Sequence, residues 1–132
     1  KKAGSGMKPG SHGSTFGGNP LAMSIGNAVL DIIFEKNFLD NVIFLGNYFD
    51  EQLIKIKNKF PHIIEDVRGK GLLKGIKLKV ENLKFINQLF EHKLLVVKAS
   101  ENVVRLLPPL IINKKEIDEA ISIIDKVCGN FK

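Results

Sequence analysis

The sequence has 132 residues, which is enough for one compact domain and too few for two domains of ordinary size. Its apolar fraction of 44% and its charged fraction of 26% lie near the averages of globular proteins. This composition excludes a disordered tail, a collagen-like rod and a disulfide-rich mini-protein. No apolar run approaches the ~20 residues of a membrane span, so we expect no membrane partner. The single cysteine, Cys128, cannot form an internal disulfide, which indicates a cytoplasmic protein.

The net charge of +6 raises the question of nucleic-acid binding. The lysines are dispersed along the chain, the two arginines are Arg68 and Arg105, and tryptophan is absent. Proteins that bind nucleic acids usually cluster their basic residues on one face, often with stacking aromatic side chains. We therefore interpret the charge as solvated surface and expect no nucleic-acid partner.

The beginning of the sequence divides into two segments without apolar periodicity. Residues 1–6 (KKAGSG) resemble a translated cloning-vector scar, and we exclude them from the predicted fold. Residues 7–18 are rich in glycine and serine and are predicted to form a loop. Asn19 and Pro20 then have the residue types of a helix N-cap and a first helical position. The predicted folded domain is residues 19–132.

Two helices are predicted next. The first runs from Pro20 to about Glu35, and the second runs from Phe38 to Phe60, where Pro61 follows. Their apolar residues recur at the spacing of one helix face. These residues are Leu21, Ile25, Ala28, Val29, Ile32 and Ile33, followed by Phe38, Val42, Leu45, Phe49, Leu53 and Ile56.

The remaining elements alternate strands with helices. Period-two alternation predicts strands at residues 63–67 and 72–80, with a turn at 68–71. Runs of β-branched residues predict two further strands, at 94–98 and 103–107, with a hairpin at 99–102. Helical spacing returns at residues 83–90 and after Asn113, which with Glu116 resembles a capping box. The resulting order, two helices, two strands, a helix, two strands and a helix, predicts an α+β fold. We expect a small antiparallel sheet covered by helices on one face.

The glycine-rich loop is the segment most able to bind a ligand. Glycines let a backbone approach a phosphate closely, and Ser14 and Thr15 supply hydroxyl groups. The same composition is common in plain connecting loops, and no strand or Gly-Lys-Ser/Thr sequence marks a nucleotide fingerprint. Composition alone leaves both interpretations open.

The order of the residues favours the binding interpretation. Residues 10–22 (GSHGSTFGGNPLA) closely resemble a signature of the class III, pyridoxal-phosphate-dependent aminotransferases. Residues 68–72 (RGKGL) and 102–110 (NVVRLLPPL) are similar to two later segments of that family, in the same order. Within the class, the sequence is most similar to the acetylornithine aminotransferases, and the resemblance covers nearly the whole chain.

The resemblance implies a C-terminal small domain of a fold-type I transferase and assigns roles to three residues. The threonine matching Thr15 binds the phosphate of pyridoxal 5'-phosphate in the partner subunit of a homodimer. The serine matching Ser14 contacts the substrate there. The arginine matching Arg105 lies on the substrate-carboxylate side of the pocket, and its planar fork suits a carboxylate. We predict no metal, because the histidines and Cys128 lack metal-ligand spacing.

The sequence departs from the family in one respect. The family's cofactor-binding lysine, with the motifs around it, matches no position in these 132 residues, so no catalytic residue is assigned. We therefore expect this chain to be a C-terminal segment that is inactive alone and binds the cofactor weakly or not at all.

Two alternatives to this interpretation stay open. The substrate could be ornithine or succinylornithine, or the chain could be a non-enzymatic α+β dimerisation module.

Overall fold

The computed structural model describes residues 4–131. The chain divides into two compact units, Lys1–Phe38 and Leu39–Lys132, which we describe separately. Gly4–Gly6 form a short 3-10 turn, and the rest of the predicted vector-derived segment lies outside the described residues. No helix within the described part of the chain is long and apolar enough to cross a membrane.

The first unit consists of the glycine-rich loop and helix α1, Pro20–Ile33. The Asn19 side chain accepts a hydrogen bond from the Ala22 backbone N–H at 2.9 Å, and Pro20 occupies the first turn. This confirms the predicted helix start. The helix ends two residues before the predicted Glu35. Several large apolar side chains of α1 are exposed, and none of its residues is buried.

The second unit contains three helices and a four-stranded antiparallel sheet, in the strand order β1-β2-β4-β3. The elements are α2 Phe38–Lys59, β1 Ile64–Lys70, β2 Leu73–Leu78, α3 Asn82–Glu91, β3 Val97–Ala99, β4 Val103–Leu106 and α4 Lys114–Asn130. Their order confirms the sequence prediction, including the α+β class.

The hydrophobic core lies between the three helices and one face of the sheet. Its buried apolar residues come from α2, α3, α4 and every strand except β3, and include Leu53, Phe85, Ile117 and Ile124 from the helices and Ile64, Ile76, Leu78, Val104 and Leu106 from the sheet. The other face is open, because Arg68, Leu73 and Arg105 are exposed there. This open face carries the polar groups considered below.

Strand β1 is longer than predicted. The sequence places residues 68–71 in a turn, but β1 continues to Lys70, which pairs with Leu73 of β2. Gly69 makes this possible, because a Cβ there would lie 2.1 Å from the Leu73 carbonyl oxygen. Gly71, at a φ of +56°, then forms the tight turn.

Strand β3 is shorter than predicted, because the end of α3 takes up the backbone before it. The prediction begins the strand at Leu94, whereas β3 spans Val97–Ala99. The Leu94 N–H donates to the Leu89 carbonyl of α3 at 2.9 Å, and Lys93 has a φ of +68°. This arrangement is typical of a helix C-terminus, and it keeps Leu94 from pairing in the sheet.

Helix α4 begins at the predicted capping box. The Asn113 side chain accepts from the Glu116 N–H at 3.1 Å, and the Glu116 carboxylate accepts from the Asn113 N–H at 2.8 Å. The reciprocal bonds satisfy two backbone donors that the helix cannot pair internally.

Cys128 of α4 is buried. Burial raises the pKa of its thiol to about 12, with a smaller contribution from Asp125. Since 9.0 is the ordinary value, the folded thiol is about 1,000-fold less ionised at pH 8 than an unfolded one. Because the folded pKa is raised, this group stabilises the fold below pH 9, and the contribution is lost as pH rises toward 12.

We expect thiol–disulfide exchange at Cys128 at pH 8 to be about 1,000-fold slower in the native protein than in urea. The measurement is the rate of modification by a chromogenic disulfide reagent, and this is the chain's single cysteine. Labelling of the native protein at the unfolded rate would contradict the buried, protonated thiol.

Candidate substrate- and cofactor-binding residues

The glycine-rich loop is held by turns of its own backbone. The Ser11 N–H donates to the Lys8 carbonyl at 2.9 Å, and the Ser11 hydroxyl donates to the same oxygen at 2.7 Å. Gly10 and Gly18 have φ values of +85° and +74°, which glycine adopts without strain. Gly10 and Gly18 lie on either side of residues 11–17, which are all exposed.

Ser14 and Thr15 lie in this exposed stretch. Neither hydroxyl forms a hydrogen bond with any residue from 4 to 131. A Cβ at Gly17 would lie 2.9 Å from the Ser14 Cβ, so the absence of a side chain at Gly17 lets the loop fold back beside Ser14. Unpartnered hydroxyl donors on a glycine-rich loop fit the oxygens of a phosphate group.

Arg105 lies in β4, on the open face of the sheet. Its strand neighbours Val104 and Leu106 are buried, so alternation directs the Arg105 side chain away from the core. The guanidinium has no ion pair or hydrogen bond among the residues that the structure describes. An exposed guanidinium without a partner can bind a carboxylate through two parallel hydrogen bonds.

Arg68 lies on the same face, a position that the sequence analysis did not assign. Arg68 and Arg105 both pair with Gly75, from opposite sides of β2. The Arg68 Nη2 lies 3.1 Å from Glu101 Oε2. Arg68 therefore already has a carboxylate partner, whereas Arg105 has none among residues 4–131. No local sequence signal places Arg68 beside Arg105, because strand pairing on both sides of Gly75 brings them together.

A shallow groove of about 200 Å³ lies over Gly75. Its apolar walls come from Leu73, Ala99 and Val103, and Arg68 and Arg105 lie at its sides. Lys74 also lines the groove, but its ammonium group is buried and faces Asp50. A Cβ at Gly75 would lie 3.1 Å from the Val103 Cγ1, so a larger residue there would crowd the groove. The groove combines an apolar floor with one unneutralised cation.

A second cleft, of about 270 Å³, is lined mainly by apolar side chains, among them Phe49, Leu94, Leu106 and Ile117. Its acidic residue, Glu116, is engaged in the capping box of α4. This cleft has no free charged group suited to a carboxylate or a phosphate.

The predicted site residues fall into the two separate units. Ser14 and Thr15 are neighbours in the first unit, and Arg105 lies in the second beside Arg68. Their binding roles stay predictions. Within residues 4–131, no group of three His, Cys, Asp or Glu side chains is placed to hold a metal ion.

Comparison with known proteins identifies the family. Residues 1–128 match the family described as Aminotransferase class-III, a range that includes the first six residues. The chain is 47% identical over 127 residues to acetylornithine aminotransferase 2 of Caulobacter vibrioides, covering 96% of this chain and 31% of that protein. It is also 47% identical over 117 residues to the acetylornithine aminotransferase of Mesorhizobium japonicum, covering 89% of this chain and 29% of that protein.

Solved structures agree with the sequence comparison. The acetylornithine aminotransferase of Elizabethkingia anophelis superimposes with a TM-score of 0.81 at 36% identity, over 95% of this chain and 32% of that one. The ornithine aminotransferase of Plasmodium yoelii gives a TM-score of 0.83 at 40% identity, over 96% of this chain and 34% of that one. The chain thus spans about a third of the length of its relatives. These matches confirm the predicted fold class, and the chain belongs to the class-III aminotransferase family.

Proposed function

We propose that this chain is the C-terminal part of an acetylornithine aminotransferase. The reaction transfers the amino group of N-acetylornithine to 2-oxoglutarate and yields N-acetylglutamate semialdehyde and glutamate, a step of arginine biosynthesis in the cytoplasm. Family membership and the names of the relatives support the reaction class. The observation that carries the proposal is the free Arg105 guanidinium beside an apolar groove.

Arg105 binds a substrate carboxylate in this proposal. Its side chain is exposed, and its neighbour Arg68 is already paired with Glu101. The apolar groove walls lower the local exposure to water and strengthen a bidentate pair between Arg105 and an incoming carboxylate. Arg105 thereby orients the substrate, while the proton transfers fall to groups outside these 132 residues.

Ser14 and Thr15 hold the cofactor side of the site. The Thr15 hydroxyl donates to a phosphate oxygen of pyridoxal 5'-phosphate, and Ser14 contacts the substrate. Their exposed, unpartnered hydroxyls support these roles, since within residues 4–131 nothing competes for them. When bound, pyridoxal phosphate withdraws electrons from the reacting carbon of the substrate. The loop's own contribution is to bind the phosphate and exclude water from it.

The loop acts across a homodimer interface in this proposal. Helix α1 follows the loop directly, and its apolar side chains Leu21, Met23 and Ile25 are more than half exposed. Such a concentration of exposed apolar surface is typical of a helix that packs against another chain. The phosphate-binding loop and the interface helix are therefore continuous in sequence.

Ornithine is the second candidate substrate. The similarity to the ornithine aminotransferase of Plasmodium yoelii, at 40% identity, supports it. The two candidates differ in the acetyl group on the amine that does not react. Comparison of kcat/KM for N-acetylornithine and ornithine in the full-length protein decides between them.

The test of the proposal is glutamate formation from 2-oxoglutarate by the full-length protein with pyridoxal phosphate and N-acetylornithine. We expect turnover by the full-length protein and none by the 132-residue chain alone. Absence of turnover by the full-length protein with N-acetylornithine, ornithine and succinylornithine would overturn the enzyme assignment and favour a non-enzymatic dimerisation module.

Thr15→Val in the full-length protein tests the cofactor role. Loss of one hydrogen bond to a charged phosphate costs about 1.5–3 kcal/mol, so we expect Kd for pyridoxal phosphate to rise about 10- to 150-fold. Thr15→Ser keeps the hydroxyl and is the matched control, with Kd expected within about threefold. The readout is the absorbance of bound cofactor during titration. Equal affinities of the two variants would refute the hydroxyl contact.

A further inference from the structure

We propose that Asn102 is a positioning residue, which fixes the register of β4 and thereby directs Arg105 onto the open face of the sheet. The inference deepens the proposed function and rests on the carboxylate-binding role of Arg105. Asn102 lies at the tip of the β3–β4 hairpin, three residues before Arg105.

The Asn102 side chain joins three elements through hydrogen bonds. Its Nδ2 donates to two carbonyls, each at 2.7 Å: that of Leu78, the last residue of β2, and that of Val80, in the turn that follows β2. Its Oδ1 accepts from the Asn82 N–H, at the start of α3, at 3.0 Å. The side chain amide therefore binds β2, the following turn and the first residue of α3 at once. A half-buried amide with three short bonds holds its backbone at one place.

The Asn102 backbone continues the sheet. Its carbonyl accepts from the Leu78 N–H at 3.1 Å, directly after the last register pair, Lys77 with Val103. The same residue thus bonds the end of β2 through both its main chain and its side chain. This double attachment fixes which residue of β4 faces which residue of β2.

The hairpin conformation suits asparagine. Glu101 and Asn102 have φ values of +58° and +60°, and the Val103 N–H donates to the Ser100 carbonyl at 3.3 Å. Asparagine tolerates this left-handed conformation better than most residues other than glycine. Glycine at this position would keep the backbone and remove the amide, which separates the two contributions experimentally.

Register decides where Arg105 points. In the observed register Gly75 faces Arg105, while Val104 and Leu106 point into the core. A shift of one residue would turn the side chains of β4 to the opposite faces. Arg105 would then enter the core, and the groove over Gly75 would lose its free cation.

The adjacent residue links the hairpin tip to β1. Glu101 pairs with Arg68 at 3.1 Å, which keeps that carboxylate on Arg68. Because Asn102 fixes the tip, it also fixes the position from which Glu101 reaches Arg68. Correct placement of the tip thus leaves Arg105 as the guanidinium available to the substrate.

The test compares Asn102→Ala, Asn102→Gly and Arg105→Ala in the full-length protein, with the combined variant N102A/R105A. Misplacement of a binding group by about 1 Å can cost about 100-fold, so we expect both Asn102 variants to raise KM for N-acetylornithine about 10- to 100-fold, with a smaller change in kcat. In the Arg105→Ala background, Asn102→Ala should change KM less than about twofold, because the effect acts through Arg105. Asn87→Ala, at an exposed position of α3, is the control.

Hydrogen exchange gives a readout that does not require activity. We expect both Asn102 variants to exchange the backbone amides of β4 at least about tenfold faster, while the β1–β2 ladder keeps its wild-type rates. If Asn102→Ala does not fold, the exchange measurement on Asn102→Gly provides the same test.

Three results distinguish failure of the Asn102 inference from failure of the proposed function. Unchanged exchange in β4 overturns the inference whatever the activity, and so does an equal effect of Asn102→Ala with and without Arg105. Wild-type protein without turnover refutes the proposed function, and the exchange data then decide the register role of Asn102 by themselves.

Discussion

Arg105→Ala in the full-length protein is expected to lower kcat/KM for N-acetylornithine by about 10- to 150-fold. The range corresponds to the loss of a hydrogen-bonded charge interaction of about 1.5–3 kcal/mol. The physical reason is that the Arg105 guanidinium lies at the side of an apolar groove and has no other partner among residues 4–131. Initial rates of glutamate formation at several substrate concentrations give the measurement.

Two variants distinguish this role from a general charge effect. Arg105→Lys keeps the charge but loses the planar fork, so we expect an intermediate loss. Arg68→Ala removes a cation from the same groove, but one that is paired with Glu101. The combined variant R68A/E101A also removes the carboxylate that this change would release. Because the exposed pair offers no free charge to the substrate, kcat/KM of R68A/E101A should change by less than about fivefold. If the combined variant R68A/E101A is as damaging as Arg105→Ala, the groove binds its substrate through total charge, and the specific role of Arg105 is wrong.

Local signals in the sequence predicted the helix starts. Asn19 caps the helix that begins at Pro20, and Asn113 caps the helix that begins at Lys114. Each cap bonds a residue within one helical turn, Ala22 or Glu116. Their hydrogen bonds depend on neighbours in the chain, so the residue types suffice to predict them. The adjacent β-branched residues Val103 and Val104 likewise indicated strand β4.

Contacts between distant residues account for what the sequence did not predict. The extension of β1 to Lys70 depends on its pairing with Leu73 and on the space that Gly69 leaves for the neighbouring strand. The pair of Arg68 with Glu101 joins residues 33 positions apart. Neither contact has a local sequence signature. The sequence therefore predicted Arg105 through a motif, but not that Arg68 is neutralised beside it.

The burial of Lys74 could have been predicted from the alternation of apolar residues in the sequence, although we did not predict it. Leu72, Ile76 and Leu78 are buried at alternate positions, and Lys74 belongs to the same series. Strict alternation therefore places this lysine in the core. The reason that a charged residue is tolerated there lies in α2, where Asp50 faces it.

Lys74 and Asp50 form a buried ion pair between the sheet and α2. The Lys74 side chain is 0% exposed and the Asp50 side chain 38% exposed, and Nζ lies 2.5 Å from Asp50 Oδ2. Nζ has no hydrogen-bond partner among the described residues. The carboxylate of Asp50 is therefore the main compensation for a fully buried ammonium group.

We expect Asp50→Ala to lower the free energy of unfolding by about 3 kcal/mol, because it leaves the Lys74 charge buried without a counterion. This value is at the low end for buried pairs, since Asp50 is partly exposed. Lys74→Met removes the charge and keeps a similar length, and the free energy of unfolding should change by less than about 1 kcal/mol or rise. Urea denaturation followed by circular dichroism measures both effects.

Asp125→Ala is the matched control for the acidic residue. Asp125 is 35% exposed and lies 2.7 Å from Lys59, but the Lys59 side chain is 59% exposed. The two carboxylates thus differ chiefly in the burial of their lysine partners. We expect Asp125→Ala to cost less than about 1 kcal/mol. If Asp50→Ala costs no more than this, Lys74 finds another counter-charge, and burial of the ammonium does not make the pair important for stability. If the double variant D50A/K74M recovers the stability that D50A loses, the cost arises from the unpaired charge and not from the missing carboxylate.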